Sequence, residues 1–303
     1  IVPWSGGKDS SSIAYKLKFE HGMNPLLVTF SPLIPSEIGT LNRELLLKKG
    51  FDNVFFRPNQ YISKYLARRF FIERGNPKVH WDAGINALPL KVAIEKNINL
   101  IFYAEHGESE YGGKIIKKDS DKIRDMEEVL EHQIGDDPSN WVDDKVNLND
   151  IEPYKYPLEK LLKIKDLKAY YFSYFFKWDV YENYKYVKEK FGFKENPKRI
   201  SGTFQNFDSM DDMVDPLYYY MQYIKFGFGR SLRDASRMLQ NNHLSKEEAL
   251  DYVRQYDGEF PQDNINKVLD YLDIDLIEFN ENVDKHRNKE IWSLKGNQYV
   301  KTF

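Results

Sequence analysis

Ser5-Gly6-Gly7-Lys8-Asp9-Ser10 lies between the apolar run Ile1-Val2-Pro3-Trp4 and the helix-like Ser11-Ser12-Ile13-Ala14-Tyr15-Lys16-Leu17. A strand, a glycine turn and a helix start make a phosphate cradle. Two glycines let several backbone N–H groups face one anion, and the helix N-terminus adds its partial positive charge at the same point. Ser5 and Ser10 offer hydroxyl donors, Lys8 a mobile cation, and Asp9 a carboxylate able to hold Mg²⁺ against phosphates. The plain structural alternative is a serine-rich helix cap after a Gly-Gly turn. The loop is not a Walker A sequence, because Asp9 rather than Ser or Thr follows Lys8 and the glycine spacing is too short. It points to ATP and says nothing of a second substrate.

Working outward, the hydrophobic pattern predicts a helix over 10–20, a short buried strand over 25–30, a loop over 31–39 and a helix over 41–49. A strand over 53–57, helices over 61–73 and 85–96, and a strand over 100–104 follow. This alternation predicts an α/β fold, a parallel sheet with helices on both faces and a ligand at the strands' carboxyl ends. Three loops should converge there: 5–10, the one after Phe30, and the one from Glu105. Thr29 and Phe30 are therefore candidates for the adenine wall, with ordinary end-of-strand core as the alternative. The loop Glu105-His106-Gly107-Glu108-Ser109-Glu110-Tyr111-Gly112-Gly113 sets carboxylates, a histidine and glycines at the mouth of a nucleotide site. Gly107 is a candidate for ATP contact, Glu108 for Mg²⁺ or substrate, and Tyr111 for substrate. A solvated acidic loop is the alternative.

Composition narrows the class. At 303 residues and 41% hydrophobic, the chain can bury a sizeable core and is expected to form two regions, 1–150 and 151–303. A net charge of −3 does not favour a polyanionic partner, so nucleic acid is not expected. Without cysteine there is no disulfide framework, thiolate zinc site or cysteine nucleophile. The apolar stretch over 169–178 is too short for a membrane span, which takes about 20 residues, and it contains Lys177. The chain opens inside what reads as its first strand, so residues before Ile1 are expected. A soluble, cytoplasmic protein is the expectation.

The second half changes character. Residues 114–168 are charged, with a helix expected over 121–133. Aromatic residues crowd into 170–178 and 218–226 and read as core or inter-region stripes, with a sugar-stacking platform as the alternative. Helices are expected over 210–226, 231–240, 246–256 and 264–272; Ser245 with Glu248 makes a capping box for the third. At Lys225-Phe226-Gly227-Phe228-Gly229-Arg230 one helix ends in glycines and the next starts with Arg230, Arg233 and Arg237 on one face. Arg230 and Lys225 are candidates for gripping a substrate carboxylate. A solvated face paired with Asp234 and Glu247 is the alternative.

The loop at 5–10 resembles the pyrophosphate loop of the N-type ATP pyrophosphatases, which split ATP between its α and β phosphates. Within that superfamily the chain resembles the N-acetyl sugar amidotransferases. The resemblance rests on that loop, residues 32–39, Gly107-Glu108-Ser109-Glu110-Tyr111-Gly112-Gly113, Trp178-Asp179, the 225–230 corner, Tyr256-Asp257-Gly258 with Pro261, and His286-Arg287 to Trp292. It implies an adenine nucleotide alpha hydrolase-like sheet followed by a mainly helical region. It also implies that an acetamido group of an acidic bacterial surface sugar becomes acetamidino, with ATP and Mg²⁺, in lipopolysaccharide O-antigen or flagellin glycan synthesis. Lys8 and Asp9 would be catalytic, Asp9 and Glu108 metal ligands. Ammonia would come from a separate glutaminase, with a barrel-like conduit subunit as a further implied partner. The chain departs from the family where a cysteine is usual, reading Asn76-Pro77-Lys78-Val79-His80-Trp81. Two other readings are a tRNA-modifying, lysidine-type ligase and a nucleotide-binding assembly subunit without catalysis.

Overall fold

The computed structural model describes residues 1–104, 136–157, 167–296 and 298–302. The first half runs β1 (Val2–Pro3), α1 (Lys8–Phe19), β2 (Leu27–Phe30), α2 (Glu37–Leu47), β3 (Asn53–Phe56), α3 (Gln60–Arg74), α4 (Val79–Lys96) and β4 (Leu100–Tyr103). It continues with β5 (Lys168–Tyr171), α5 (Phe172–Phe175), α6 (Val180–Phe191), α7 (Asp215–Phe226), α8 (Arg230–Gln240) and α9 (Lys246–Tyr256). Last come α10 (Ile265–Leu272), α11 (Leu276–His286), β6 (Trp292–Lys295) and β7 (Gln298–Lys301). The expected helix over 121–133 lies outside the described residues.

β1, β2 and β3 pair in parallel, and so do β4 and β5. Ile1 joins the two ladders: its nitrogen donates to the Leu100 carbonyl at 2.8 Å and its carbonyl accepts from Phe102 N at 2.9 Å. The strands therefore lie in the order β3-β2-β1-β4-β5. The next N–H along that edge would belong to Pro3, which has none, so the ladder toward β4 stops just before the glycine loop. The order reverses between β1 and β4, and in open parallel sheets ligands sit outside the carboxyl ends of the strands at such a reversal.

The expected boundary at 150 corresponds to no break in the core. β5 completes the sheet from the far side of that position. All three buried apolar clusters draw on both halves: Phe70 and Ile101 with Tyr154 and Ala169, Val2 and Ile13 with Tyr184 and Val187, Phe71 with Leu217 and Phe279. Burying each such side chain contributes about 1.5–3 kcal/mol, so neither half keeps its core without the other.

Several elements differ from expectation for local reasons. α2 starts at Glu37 because the Ser36 side chain accepts from Gly39 N at 2.9 Å. α7 starts at Asp215, not Met210, because the Asp212 carboxylate accepts from Leu33, Ile34 and Val214 N–H groups, tying the preceding segment to the loop after β2. The aromatic run at 170–178 is only partly core: Phe172 is 2% exposed, whereas Tyr174, Phe175 and Phe176 are 47%, 49% and 44% exposed. The β6–β7 hairpin was not anticipated. Among the described residues no helix is long and apolar enough to cross a membrane.

Candidate active site

The glycine loop leaves β1 toward the sheet reversal and is fixed at both ends. Trp4 is buried, and its indole donates to Ser11 Oγ at 2.8 Å. Gly6 has φ +102°, a conformation L side chains rarely adopt, and a Cβ there would come within 2.5 Å of Arg43 Cγ. Arg43 thus lies over the turn, its guanidinium reaching the Ser5 carbonyl at 3.4 Å. Gly7 is the N-cap of α1 and donates to Ser5 Oγ, but it has no side chain to cap the helix. Among the described residues no side chain accepts from the backbone N–H groups of Lys8, Asp9 or Ser10, an arrangement that suits an anion.

These donors open on a cavity of about 340 Å³. Ser5, Gly7, Lys8, Asp9 and Ser10 line one side of it; Lys78, Trp81 and Asp82 of α4 and its approach line another. Asp208, Asp211, Asp215, Tyr218, Tyr219, Arg233 and Arg237 close the third. Lys8 is 1% exposed and its ammonium lies 2.6 Å from Asp9 and 3.0 Å from Asp208. Burial alone would favour the neutral amine, yet Asp208 and Asp9 outweigh it and raise the Lys8 pKa. The other Asp9 oxygen accepts from Asn183 Nδ2 at 3.0 Å, so α6 orients the carboxylate beside the cradle. Asp208 would be raised by burial, but Lys8 and then Arg230, Arg233 and Arg237 hold it well below the usual carboxylate range.

Opposite, Lys78 is buried over the Trp81 ring, paired with Asp215 and 3.6 Å from Asp212. Burial pushes Asp82 up to about 7 against the pull of Lys78. Burial also takes Asp215 up to about 7, with Asp212 and Asp211 adding repulsion that Lys78 only partly offsets. Counting the lining side chains, five carboxylates (Asp9, Asp82, Asp208, Asp211, Asp215) face four cations (Lys8, Lys78, Arg233, Arg237).

A second cavity, of about 1020 Å³, shares Tyr218, Tyr219, Arg233 and Arg237 with the first. Its arginines are set by the corner between α7 and α8. Gly227 ends α7 at φ +76°, and the Asp257 carboxylate accepts from Gly229 N at 2.9 Å and Leu232 N at 3.2 Å, capping α8 from a distant turn. That turn requires Gly258, at φ +80°, where a Cβ would fall 2.1 Å from the Tyr223 ring. The 225–230 corner and Tyr256-Asp257-Gly258 are thus two sides of one joint.

The structure brings Ser5, Gly7, Lys8, Asp9 and Ser10 together at the first cavity, with Gly6 as the turn beneath them. Lys225 lines the second, its ammonium donating to the Arg74 carbonyl. Arg230 lines neither. It is 1% exposed and bonds the Asp208 carbonyl and the Asp234 carboxylate, so it braces the segment that carries Asp208, while Arg233 and Arg237 face the cavities. Thr29 and Phe30 line neither cavity: Thr29 accepts from Asn53, and Phe30 packs on Gly84, Phe56 and Tyr154. Gly107, Glu108 and Tyr111 lie outside the described residues.

No sequence motif marks Asp82, Asn183, Asp208, Asp211 or Asp215, and Tyr218 and Tyr219 lie in a stretch that reads as a core or inter-region stripe rather than a cavity wall. A signal was present: four aspartates within the eight residues 208–215, directly before an apolar helix, form an unusual run. Residues 170–302 match the family model described as LPS biosynthesis protein WbpG-like, C-terminal domain. The match starts inside β5 and includes every residue from Asn183 to Arg237 that walls the site. This part of the chain is therefore similar to a domain of lipopolysaccharide-biosynthesis proteins. No curated protein matches the chain.

Proposed function

We propose that the chain is an ATP-dependent, AMP-forming amidotransferase that converts an acetamido group of an acidic N-acetyl sugar to acetamidino during surface-polysaccharide synthesis. The observation that carries this reading is the uncapped first turn of α1, following Ser5-Gly6-Gly7 with Lys8 buried between Asp9 and Asp208. The similarity to a lipopolysaccharide-biosynthesis domain supports the sugar as acceptor.

An amide carbon is a poor electrophile and its oxygen a poor leaving group. If that oxygen attacks the α-phosphorus of ATP, the P–O bond to pyrophosphate breaks and an adenylyl imidate forms. Ammonia then adds to the imidate carbon, loses a proton, and AMP departs with the former amide oxygen. Charge grows on the leaving pyrophosphate, where the amides of Lys8, Asp9 and Ser10 and the Lys8 ammonium would meet it. A divalent cation entering with ATP would offset the charge of the triphosphate, and Asp9, on the cavity wall beside the first turn of α1, is the side chain that would hold it. Such an ion supplies charge neutralisation at the phosphates. Asp82 and Asp215, with pKa values near 7, are suited to take the proton that ammonia must lose.

These 303 residues hold no cysteine, so a glutaminase of the cysteine type would lie outside them. The test is incubation with ATP, Mg²⁺, ammonium and a panel of diacetamido acidic sugars, following AMP, pyrophosphate and sugar mass. AMP with replacement of one sugar oxygen by NH is the expected result, with ammonium and not glutamine as donor. ADP alone, or an unchanged panel, would overturn the reading.

A further inference from the structure

The larger cavity is not used by the nucleotide chemistry, and its lining differs in charge from that of its neighbour. It carries three cations, Lys225, Arg233 and Arg237, and no described carboxylate, whereas in the cradle cavity four cations are set against five carboxylates. We propose that this cavity is the acceptor site, and that it selects its ligand by a carboxylate read by Arg233 and Arg237.

The two arginines are four residues apart on α8 and share one face. Arg233 is held in place, donating to Tyr219 Oη at 2.9 Å and to Asp234 at 3.1 and 3.2 Å. Arg237 is 5% exposed and lines both cavities. A carboxylate seated on this pair occupies the partition between the cavities, which leaves the rest of the molecule within reach of the cradle. Phe226 and Phe228, 55% and 43% exposed, line the same cavity and offer ring faces for an apolar or sugar surface. The volume lies at the upper end of the roughly 300–1,000 Å³ typical of small-molecule sites, enough for a sugar acid with two acylamido arms. Guanidinium geometry suits a carboxylate better than a hydroxyl, so charge and not ring shape sets the preference.

The identity of the ligand as the acceptor rests on the function proposed above; the preference for a carboxylate does not. The full chain, without nucleotide, is titrated calorimetrically with N-acetylneuraminic acid and with its methyl ester. The acid should bind about ten-fold tighter or more, the worth of a charge-assisted contact. Arg237→Gln should abolish that preference and Arg237→Lys restore part of it. Should Arg237→Gln fail to fold, Gln222→Trp fills the larger cavity alone and should weaken acid and ester together while sparing pyrophosphate binding. Equal binding of acid and ester, no binding of either, or a preference that survives Arg233→Gln with Arg237→Gln would overturn the assignment. A clear acid preference in a protein that shows no ATP–pyrophosphate exchange would overturn the nucleotide reading and support this one.

Discussion

α1 and α8 both begin at a glycine corner, and each sets basic side chains on a cavity wall, but their first turns are satisfied differently. At α8 the Asp257 carboxylate accepts from Gly229 and Leu232, and a Cβ at Gly229 would meet that same carboxylate at 2.8 Å. The corner is closed, and its output is the aim of Arg233 and Arg237. At α1 the N-cap is Gly7, which brings no acceptor, and the turn faces a cavity. Two similar glycine signatures therefore serve different ends: one supplies its own anion and is a joint, the other leaves the place open. The two cavities also differ in charge: the first sets carboxylates against cations, and among the described residues the second has cations without carboxylates.

The largest expected effect breaks the open corner at its cation. Lys8→Ala removes the ammonium that would face the leaving pyrophosphate, and kcat for AMP release should fall by about 10²–10³. The circular dichroism spectrum should stay unchanged, because Asp208 keeps its three arginines. Near-normal turnover would sink the nucleotide assignment. A subtler variant turns the open corner into a closed one. Gly7 has φ −71° and ψ 163°, ordinary for a capping residue, and a Cβ there meets only Ser5 Oγ at 3.3 Å. Gly7→Asn should cap α1 with its own amide oxygen, improving stability by a few tenths of a kcal/mol. ATP–pyrophosphate exchange should drop about ten-fold even as the melting temperature holds or rises. Unchanged exchange would mean that the first-turn amides are not used.

This contrast also marks what could be read from the chain. The strand, glycine turn and helix start around 5–10 were legible because they are contiguous and fit within about ten residues, so that local backbone rules suffice. The alternation of strands and helices was legible for the same reason. The partners of the cradle were not. Asp208 meets Lys8 across two hundred positions, and Asn183 reaches Asp9 from α6, contacts that no periodicity encodes. The arginine face was visible as spacing, but helical spacing does not tell which of three side chains turns inward. Arg230 proved to be the brace, and Arg233 and Arg237 the wall. The boundary at 150 followed a change in composition, whereas the sheet and cores are shared across it. Thr29 and Phe30 ended a strand at the right edge of the sheet, but Asn53 and Gly84 enclose them.

At the closed corner, Asp257→Ala should remove the cap of α8 and cost about 1–2 kcal/mol of stability. Pyrophosphate exchange should survive, while the preference for a carboxylate ligand weakens as Arg233 and Arg237 lose their aim. Loss of exchange with the carboxylate preference intact would reverse the division of labour between the corners.

The smallest effect tests the charge of the carboxylate-rich cavity. Asp82 titrates near 4 in an unfolded chain and near 7 in the folded protein, where burial disfavours its charge more than Lys78 restores it. A carboxyl raised in this way contributes its stability in full below about pH 4, and that contribution is lost as pH rises through about 7. Asp82→Asn cannot ionise and so cannot lose it. The melting temperature of the variant should therefore gain on the wild type between pH 5 and pH 8, by a few degrees at most, with Lys78 still held by Asp215 and Asp212. If the gap stays flat, Asp82 is already charged at pH 5. The cavity would then carry its full set of carboxylates across the working range, the demand for a divalent cation with ATP would be greater, and the proton from ammonia would have to go to Asp215 instead.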